Sequence, residues 1–405
     1  MKLNASKYNK HLQDRSLNEL GKFQRGRSRH RPRNDDSLFK NGTYPLVQTG
    51  EIREANLYII NNKAFYNEFG LSQSKLWPKD TLCITIAANI AETALLSYPT
   101  CFPDSVVGFN ANPDESSELF MHYVFTYIRR SIQNSVSGSI QDNINIDYLT
   151  NIKFKIPKKN YQDKITKILS SIDKKIELNN QINSELEKMA KTIYDYWFVQ
   201  FDFPDKNGKP YKSSGGKMVW NEELKQDIPE GWKVKTIGSF SEIKRGTLVT
   251  EKTANTEGSI KVISAGVDHS YMHSISNRDK NTITISGSGA NAGFINFWRE
   301  PIFACDCTAI RGISDSVTLV LLGFLNIRQK YIMGQARGSA QPHVYPKDVS
   351  GLKMALPQND LITKYGNLVI PGNDRISSNL YENQKLKNLR DWLLPMLMNG
   401  QVKVL

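Results

Sequence analysis

Between residues 160 and 202, apolar side chains return every three or four positions, at Ile165, Ile168, Ile172, Ile176, Ile182, Leu186, Met189, Ile193 and Trp197. Lys, Glu, Asp, Asn and Gln fill the gaps, and no Pro or Gly interrupts. This spacing predicts one amphipathic helix, roughly 60 Å long at about 1.5 Å per residue. Its apolar seam is narrow and requires a second helix against it. Residues 360–399 supply one, with a seam of Ile376, Leu380, Leu386, Leu389, Leu393 and Met396. Pro371-Gly372 should interrupt that helix near its start and Pro395 should kink it near its end. Two such seams in one chain pair most simply as an antiparallel coiled coil, which would place one globular domain at each end.

Outside the helices the pattern changes to short β-like runs with turn punctuation, such as Thr81 to Ile86 and Asn151 to Ile156. One further helix is expected from Leu119 to Ile132, where Phe120, Val124, Tyr127 and Ile128 share a face. The fold class is α+β. The expected domains are a first globular domain over 1–157, with its body starting near residue 12, and a central spacer helix over 158–202. A linker follows over 203–230, then a second domain over 231–357 and a C-terminal helix over 358–405. The linker holds Pro204, Asn207-Gly208, Pro210 and Ser213 to Gly216, which should break regular structure.

The chain also repeats itself. Ile152-Lys153-Phe154-Lys155-Ile156-Pro157 returns 200 residues later as Leu352-Lys353-Met354-Ala355-Leu356-Pro357, and the same ungapped offset runs through the helices. Asn179 answers Asn379 and Leu186 answers Leu386; Gly138-Ser139-Ile140-Gln141 answers Gly338-Ser339-Ala340-Gln341. At the front of each domain, Leu20-x-x-Phe23-x-Arg25-Gly26 matches Phe240-x-x-Ile243-x-Arg245-Gly246 at an offset of 220. The first domain therefore carries about 20 extra residues. A period this long exceeds solenoid repeats of roughly 20–50 residues and marks duplicated domains. Two similar modules suit contact with two similar things at a set separation.

Composition narrows the partner. The net charge is +13, from 53 Lys and Arg against 40 Asp and Glu. That surplus suits a polyanion, either nucleic acid or an anionic membrane, or else a generally basic soluble surface. No run approaches the ~18 apolar residues of a membrane span, and Met1 to Lys7 has no apolar signal core. The expected location is cytoplasmic, without a membrane partner. Cys83, Cys101, Cys305 and Cys307 fit neither a disulfide framework nor a zinc site; Cys305-x-Cys307 is at most half of a metal site, with no second half in view. The methyltransferase motif Asn/Asp/Ser-Pro-Pro-aromatic does not occur. Gly215-Gly216-Lys217-Met218 lacks the hydroxyl of a phosphate-binding loop. Gly287-x-Gly289-x-x-x-Gly293 has the wrong spacing for a dinucleotide site. The chain reads as non-catalytic.

Two variable domains, each followed by a repeated helix, resemble the specificity (S) subunit of type I restriction-modification systems. Four stretches carry the resemblance: Ala190-Lys-Thr-Ile-Tyr-Asp-Tyr-Trp-Phe-Val-Gln-Phe-Asp-Phe-Pro204, Ile228-Pro-Glu-Gly-Trp232, Asp391 to Val402, and Ser286-Gly-Ser-Gly-Ala-Asn-Ala-Gly293. The resemblance implies two target-recognition domains that each read half of a bipartite site in double-stranded DNA. It implies helices that act as a ruler and as a platform for two methyltransferase (M) subunits, joined by two restriction (R) subunits. No cofactor is expected on this chain; S-adenosylmethionine, ATP and Mg would bind the partner subunits. The first domain departs from the pattern, with Ile86-Ala-Ala-Asn-Ile-Ala-Glu-Thr93 in place of the Gly-rich segment.

DNA reading needs cations for phosphates and forked or amide side chains for base edges. Arg25, Arg27, Arg29, Arg31 and Arg33 lie within nine residues, either as a direct contact or as a mobile basic loop adding nonspecific attraction. Lys244 and Arg245 are the shorter counterpart. Ser286, Ser288 and Asn291 sit in a small-residue loop suited to phosphate approach or, alternatively, to a tight turn. Ser139, Gln141 and Asn143 recur as Ser339, Gln341 and His343, either for a shared backbone contact or as a loop brace; the unshared Arg337 suits base reading. Asn179 and Asn379 either fix helix register or face outward. Tyr194, Trp197 and Phe198, with Trp392 in the second helix, are candidates to dock a partner subunit. The competing readings are a self-contained DNA methyltransferase or nuclease, and a coiled-coil adaptor at a membrane.

Overall fold

The two halves of the repeat fold alike, down to strand register. Gln13–Ser16 pairs antiparallel with Lys153–Ile156, Gln13 opposite Ile156; Lys233–Thr236 pairs with Lys353–Leu356, Lys233 opposite Leu356. This two-stranded clasp closes the start and end of each domain onto one another. The computed structural model describes residues 12–87, 89–137, 146–337, 342–402 and 404, with only the backbone of 135–137. The chain divides into two compact units, 1–178 with 382–405, and 179–381.

In the first unit the main sheet runs in the order Gly21–Arg25, Val106–Ala111, Leu82–Thr85, Thr93–Leu96, Tyr58–Ile59. In the second the order is Ser241–Arg245, Cys307–Gly312, Thr282–Ser286, Ile295–Trp298. The central strands Leu82–Thr85, Thr93–Leu96 and Thr282–Ser286 are buried on both faces, so their threonines and Ser286 are buried along with the apolar residues. Successive residues point oppositely. Leu82 and Ile84 join the core of Phe120, Tyr123 and Phe125 from helix Glu118–Ser137, while Cys83 joins Trp77 and Phe102. Likewise Ile283 and Ile285 pack with Val320, Leu321 and Phe324 of helix Asp315–Ile327, and Cys307 with Ile263 and Ile302. The cysteines serve as small apolar residues; burial pushes the Cys101 thiol up to about 11 and Cys307 up to about 12. Smaller sheets of four strands in the first head and three in the second account for the rest.

The long helices are Lys159–Tyr194 and Asn359–Met398. They pair antiparallel within each unit. In the first, Asp173 bonds Arg390 at 2.8 Å and Lys175 meets Glu382 at 3.4 Å. In the second, Asn379 Nδ2 donates to Asn183 Oδ1 at 2.8 Å, and the rings of Tyr194 and Tyr365 lie 6.2 Å apart. Three expectations are corrected. Helix Asn359–Met398 runs through Pro371-Gly372 without interruption; a proline removes one intrahelical bond and crowds the preceding turn, and tertiary packing outweighs that cost. Gly372 sits beside Leu186, where an added Cβ would lie 3.4 Å from its Cδ2. The apolar seam is shorter than expected, since Met189, Leu380 and Leu389 are exposed, whereas Asn179 and Asn379 are buried in it with Asn183 and Asn383 and do not face outward. Finally, the stretch 203–230 is not structureless, since Met218–Asn221 and Gln226–Pro229 form a hairpin.

The aromatic end of the first helix also differs from expectation. Tyr194, Trp197 and Phe198 are 4%, 7% and 8% exposed and belong to the core of the second unit. A π-helical turn over Asp195–Val199 swings Trp197 and Phe198 inward, and Phe198 meets Tyr365 edge-on at 5.0 Å. These three are not a docking surface; only Trp392 of that group is exposed. Leu394, Leu397 and Met398 end the second helix in the same way inside the first unit's core. Each helix thus follows one head in sequence and completes the core of the other.

His122, on helix Glu118–Ser137, is buried beside Thr93, with Nδ1 at 3.0 Å from its Oγ1. Burial, with the charges of Arg129 and Arg390, lowers its pKa from 6.5 to about 3. Between those values the unfolded chain binds a proton that the folded chain excludes, so stability falls as pH drops from about 6.5 toward 3. The loss should reach about 3 kcal/mol by pH ~4. Urea unfolding between pH 7 and 4 should show a steeper acid loss for wild type than for His122→Asn. Equal slopes would remove His122 from the account.

Candidate nucleic-acid interface

Each main sheet ends on an exposed edge strand whose last residue is an arginine. Arg25 closes Gly21–Arg25 and Arg245 closes Ser241–Arg245. A glycine follows in both, and only glycine fits: a Cβ on Gly26 would meet the carbonyl oxygen of Pro103 at 2.3 Å, and one on Gly246 that of Cys305 at 1.9 Å. The next amides then bond inward, Arg27 to the Phe102 carbonyl at 3.1 Å and Thr247 to that of Ala304 at 2.9 Å. The arginine run is therefore laid along the head. Arg29 N donates to Gln73 O at 3.1 Å and Ser74 Oγ to Arg27 O at 2.9 Å, fixing it further.

Its five arginines fall into two groups. Arg33 Nη2 donates to both Asp104 oxygens at 2.7 and 3.0 Å, and Arg31 lies 3.8 Å from the same carboxylate. Arg31 Nη1 also donates to the carbonyls of Ser28 and His30. These two brace the loop. His30 meets Asp35 at 2.8 Å, and that bond, aided by the Ser37 amide, lowers the Asp35 carboxyl to about 2. Arg25, Arg27 and Arg29 have no carboxylate partner among the described residues. Beside them lie residues that the sequence reading missed. Lys22 and Gln24 are exposed on the same strand, and Lys75 donates to Gln24 Oε1 at 2.9 Å while sitting 3.7 Å over the Trp77 ring. The two-residue spacing of Lys22 and Gln24 was a usable signal; nothing local in the sequence marks Lys75.

The second head is built on the same frame with different side chains. Lys244 pairs with Glu242. Arg278 Nη2 donates to the Arg245 carbonyl at 3.2 Å, and a polar cavity of about 330 Å³ beside the edge strand is lined by Lys244, Asn277, Arg278 and Arg311. The small-residue loop 286–293 follows the central strand, as 86–93 does in the first head. Ser286 Oγ donates to the Gly266 carbonyl at 3.1 Å and Ser288 Oγ to Asp306. Both serines are buried. The amides of Gly287 and Gly289 donate to the carbonyls of Asp306 and Pro342. Ser286 and Ser288 are thus braces of a tight turn, correcting their assignment to a ligand-facing role. Asn291 and His343 remain partly exposed. Arg337 is 73% exposed at its side chain, 3.6 Å from Asp348, and its backbone bonds that of His343. Ser139, Gln141, Asn143, Ser339 and Gln341 lie outside the described residues.

Both heads thus carry a basic edge, and among the described residues no His, Cys, Asp and Glu side chains gather as a metal site would need. The sequence profile described as the Type I restriction modification DNA specificity domain matches residues 9–188 and 229–361, most of both heads. The chain belongs to this family. It is similar to the Type I restriction enzyme MjaIX specificity subunit of Methanocaldococcus jannaschii, 24% identical over 82% of this chain and 79% of that one. It is also similar to the HindI specificity subunit of Haemophilus influenzae, 23% identical over 91% and 97%. The crystal structure of a type I restriction-modification S subunit from M. genitalium shares the fold, with a TM-score of 0.61, 20% identity and 98% of each chain covered. As a specificity chain it recognises DNA sequence and is not the catalytic part of its system. Among the described residues no helix is long and apolar enough to cross a membrane.

For such a chain, each lysine or arginine that neutralises a phosphate adds about 0.9 to the log–log salt slope of binding. Replacing Arg25, Arg27 and Arg29 with Ala should flatten that slope by about 2–3 and weaken all DNA sequences similarly. Arg31→Ala with Arg33→Ala should change it little, because Asp104 already holds both. Fluorescence-anisotropy titrations over a salt series distinguish these outcomes; equal slopes for wild type and the first variant would separate the edge from the phosphate backbone.

Proposed function

We propose that each head reads one half of a bipartite double-stranded DNA site and that the paired helices act as a ruler between the halves. The observation that carries this reading is a constant frame with variable dressing. The two clasps keep the same register and both edge strands end in Arg-Gly, yet the equivalent exposed positions differ. Lys22 stands where the second head has Glu242, and Gln24 where it has Lys244. Phosphate contacts position a protein and base contacts specify sequence, so a shared frame with unlike exposed side chains suits two different half-sites.

The partners in this reading are two methyltransferase (M) subunits and two restriction (R) subunits. What supports the pairing is a repeated apolar exposure: Met189 is 58% exposed in the second unit, and Leu389, 200 residues later, is 43% exposed in the first. A single kind of partner that docks on one such site has a second site of the same kind. Trp392, 56% exposed, adds to the latter. S-adenosylmethionine, ATP and Mg belong to the partners, and the assembly works in the cytoplasm, where DNA is.

Exchanging residues 231–357 for those of a relative with a different second head should change one half of the methylated motif and leave the other intact. Base-resolution methylation mapping reads this directly, and a change in both halves would defeat independent reading. Leu389→Asp should leave complexes with one methyltransferase subunit instead of two, and Met189→Asp likewise, as read by native mass spectrometry. Retention of two in both variants would place the docking elsewhere.

A further inference from the structure

Asp173 and Asn373 occupy the same position of the repeat, 200 residues apart, in the first and second long helices. Both are buried, at 1% and 7% exposure. Each is the hub of a polar node that ties a head to both helices. In the first unit, Tyr123 of the head donates its hydroxyl to Asp173 Oδ2 at 2.6 Å. Arg390 of the other helix donates Nη1 to Asp173 Oδ1 at 2.8 Å. In the second unit the cation comes from the head instead. Arg299 donates Nε to Asn373 Oδ1 at 2.8 Å and Nη2 to Glu187 of the other helix at 3.0 Å. Asn373 Nδ2 then donates to Asn281 Oδ1 of the head at 3.1 Å, and Asn281 Nδ2 to Asp315 at 3.0 Å.

Different residues thus build the same three-way joint twice. The neighbouring seam positions Ile172, Ile176 and Ile376 are buried and apolar, so an apolar joint is available to this architecture. Replacing a buried ion pair by well-packed apolar residues is often neutral or stabilising, so stability alone gives no reason for the node. Direction does. Packed methyl groups tolerate rolling and sliding, whereas hydrogen bonds from a head and from a second helix onto one side chain fix an angle.

We infer that Asp173 and Asn373 are positioning residues that hold each head at a set angle on the helices and so restrict the DNA half-site separations the chain accepts. This rests on the ruler reading above.

The test uses the full chain in complex with its methyltransferase subunits and a duplex library carrying both mapped half-sites with spacers of varied length. Tyr123→Phe removes only the head's hydroxyl and leaves Asp173 paired with Arg390. The triple change Tyr123→Phe, Asp173→Leu, Arg390→Met replaces the node by apolar groups. In the second unit, Arg299→Met with Asn373→Leu removes the bonds that tie the head to both helices and leaves Asn281 bonded to Asp315. Binding of the preferred spacer over one a base pair longer or shorter should fall at least threefold for Tyr123→Phe and at least tenfold for the apolar replacements. The bases selected within each half-site should stay the same, and the melting temperature of the triple variant should stay near or above that of wild type. A folded variant with wild-type spacer discrimination overturns the inference and leaves the ruler standing. If the triple variant fails to fold, Tyr123→Phe decides alone, and unchanged discrimination there overturns it. A wild-type complex indifferent to spacer length defeats the ruler reading and this inference with it.

Discussion

The fold depends on the pairing of two long helices that cannot stand alone. Each has a narrow seam, and each ends inside a head that it does not follow in sequence. Tyr194, Trp197 and Phe198 sit in the core with Val320 and Phe324, and Leu394, Leu397 and Met398 in the core with Phe120 and Phe125. A helix with so little apolar surface of its own gains most of its stability from tertiary packing. The heads in turn are incomplete without the helix ends. Each head shares its core with a helix end, even though the sequence presents heads and helices as alternating segments.

Much of this was legible because the duplication made the chain its own reference. Offsets of 220 at the front and 200 at the back aligned the two heads; that the front of each head pairs with its end, in the same register in both, is visible only in the structure. The helical seams were legible in outline. Their details were not, because a list of apolar positions cannot show that Asn183 and Asn379 satisfy one another inside the seam while Leu389 lies outside it. Pro371-Gly372 misled for a related reason: the local cost of a proline inside a helix is set against the packing of Tyr365, Val369 and Ile376 around it, which no local reading shows.

The candidate interface was legible only where it was contiguous. Five arginines in nine residues stood out, but their division into loop braces and outward cations depends on Asp104, some seventy residues away. Lys75 and Gln24 meet through folding alone. The serines of 286–293 looked ligand-facing because small residues read the same whether they welcome a phosphate or build a turn. What separates the two is where the hydroxyls go, and those go to Gly266 and Asp306.

Gly323 offers a last consequence, for how such chains exchange parts over generations. A Cβ there would come within 2.3 Å of the Tyr194 ring, so the tyrosine occupies the room that glycine leaves. Tyr194 ends the helix after the first head, while Gly323 lies deep within the second. A recombination joint placed between them unites a ring from one lineage with a pocket from another. If the incoming head carries even alanine at this place, the ring or the backbone beside it must shift. A joined chain keeps this helix end packed as it is here only where the ring and the space it fills stay matched.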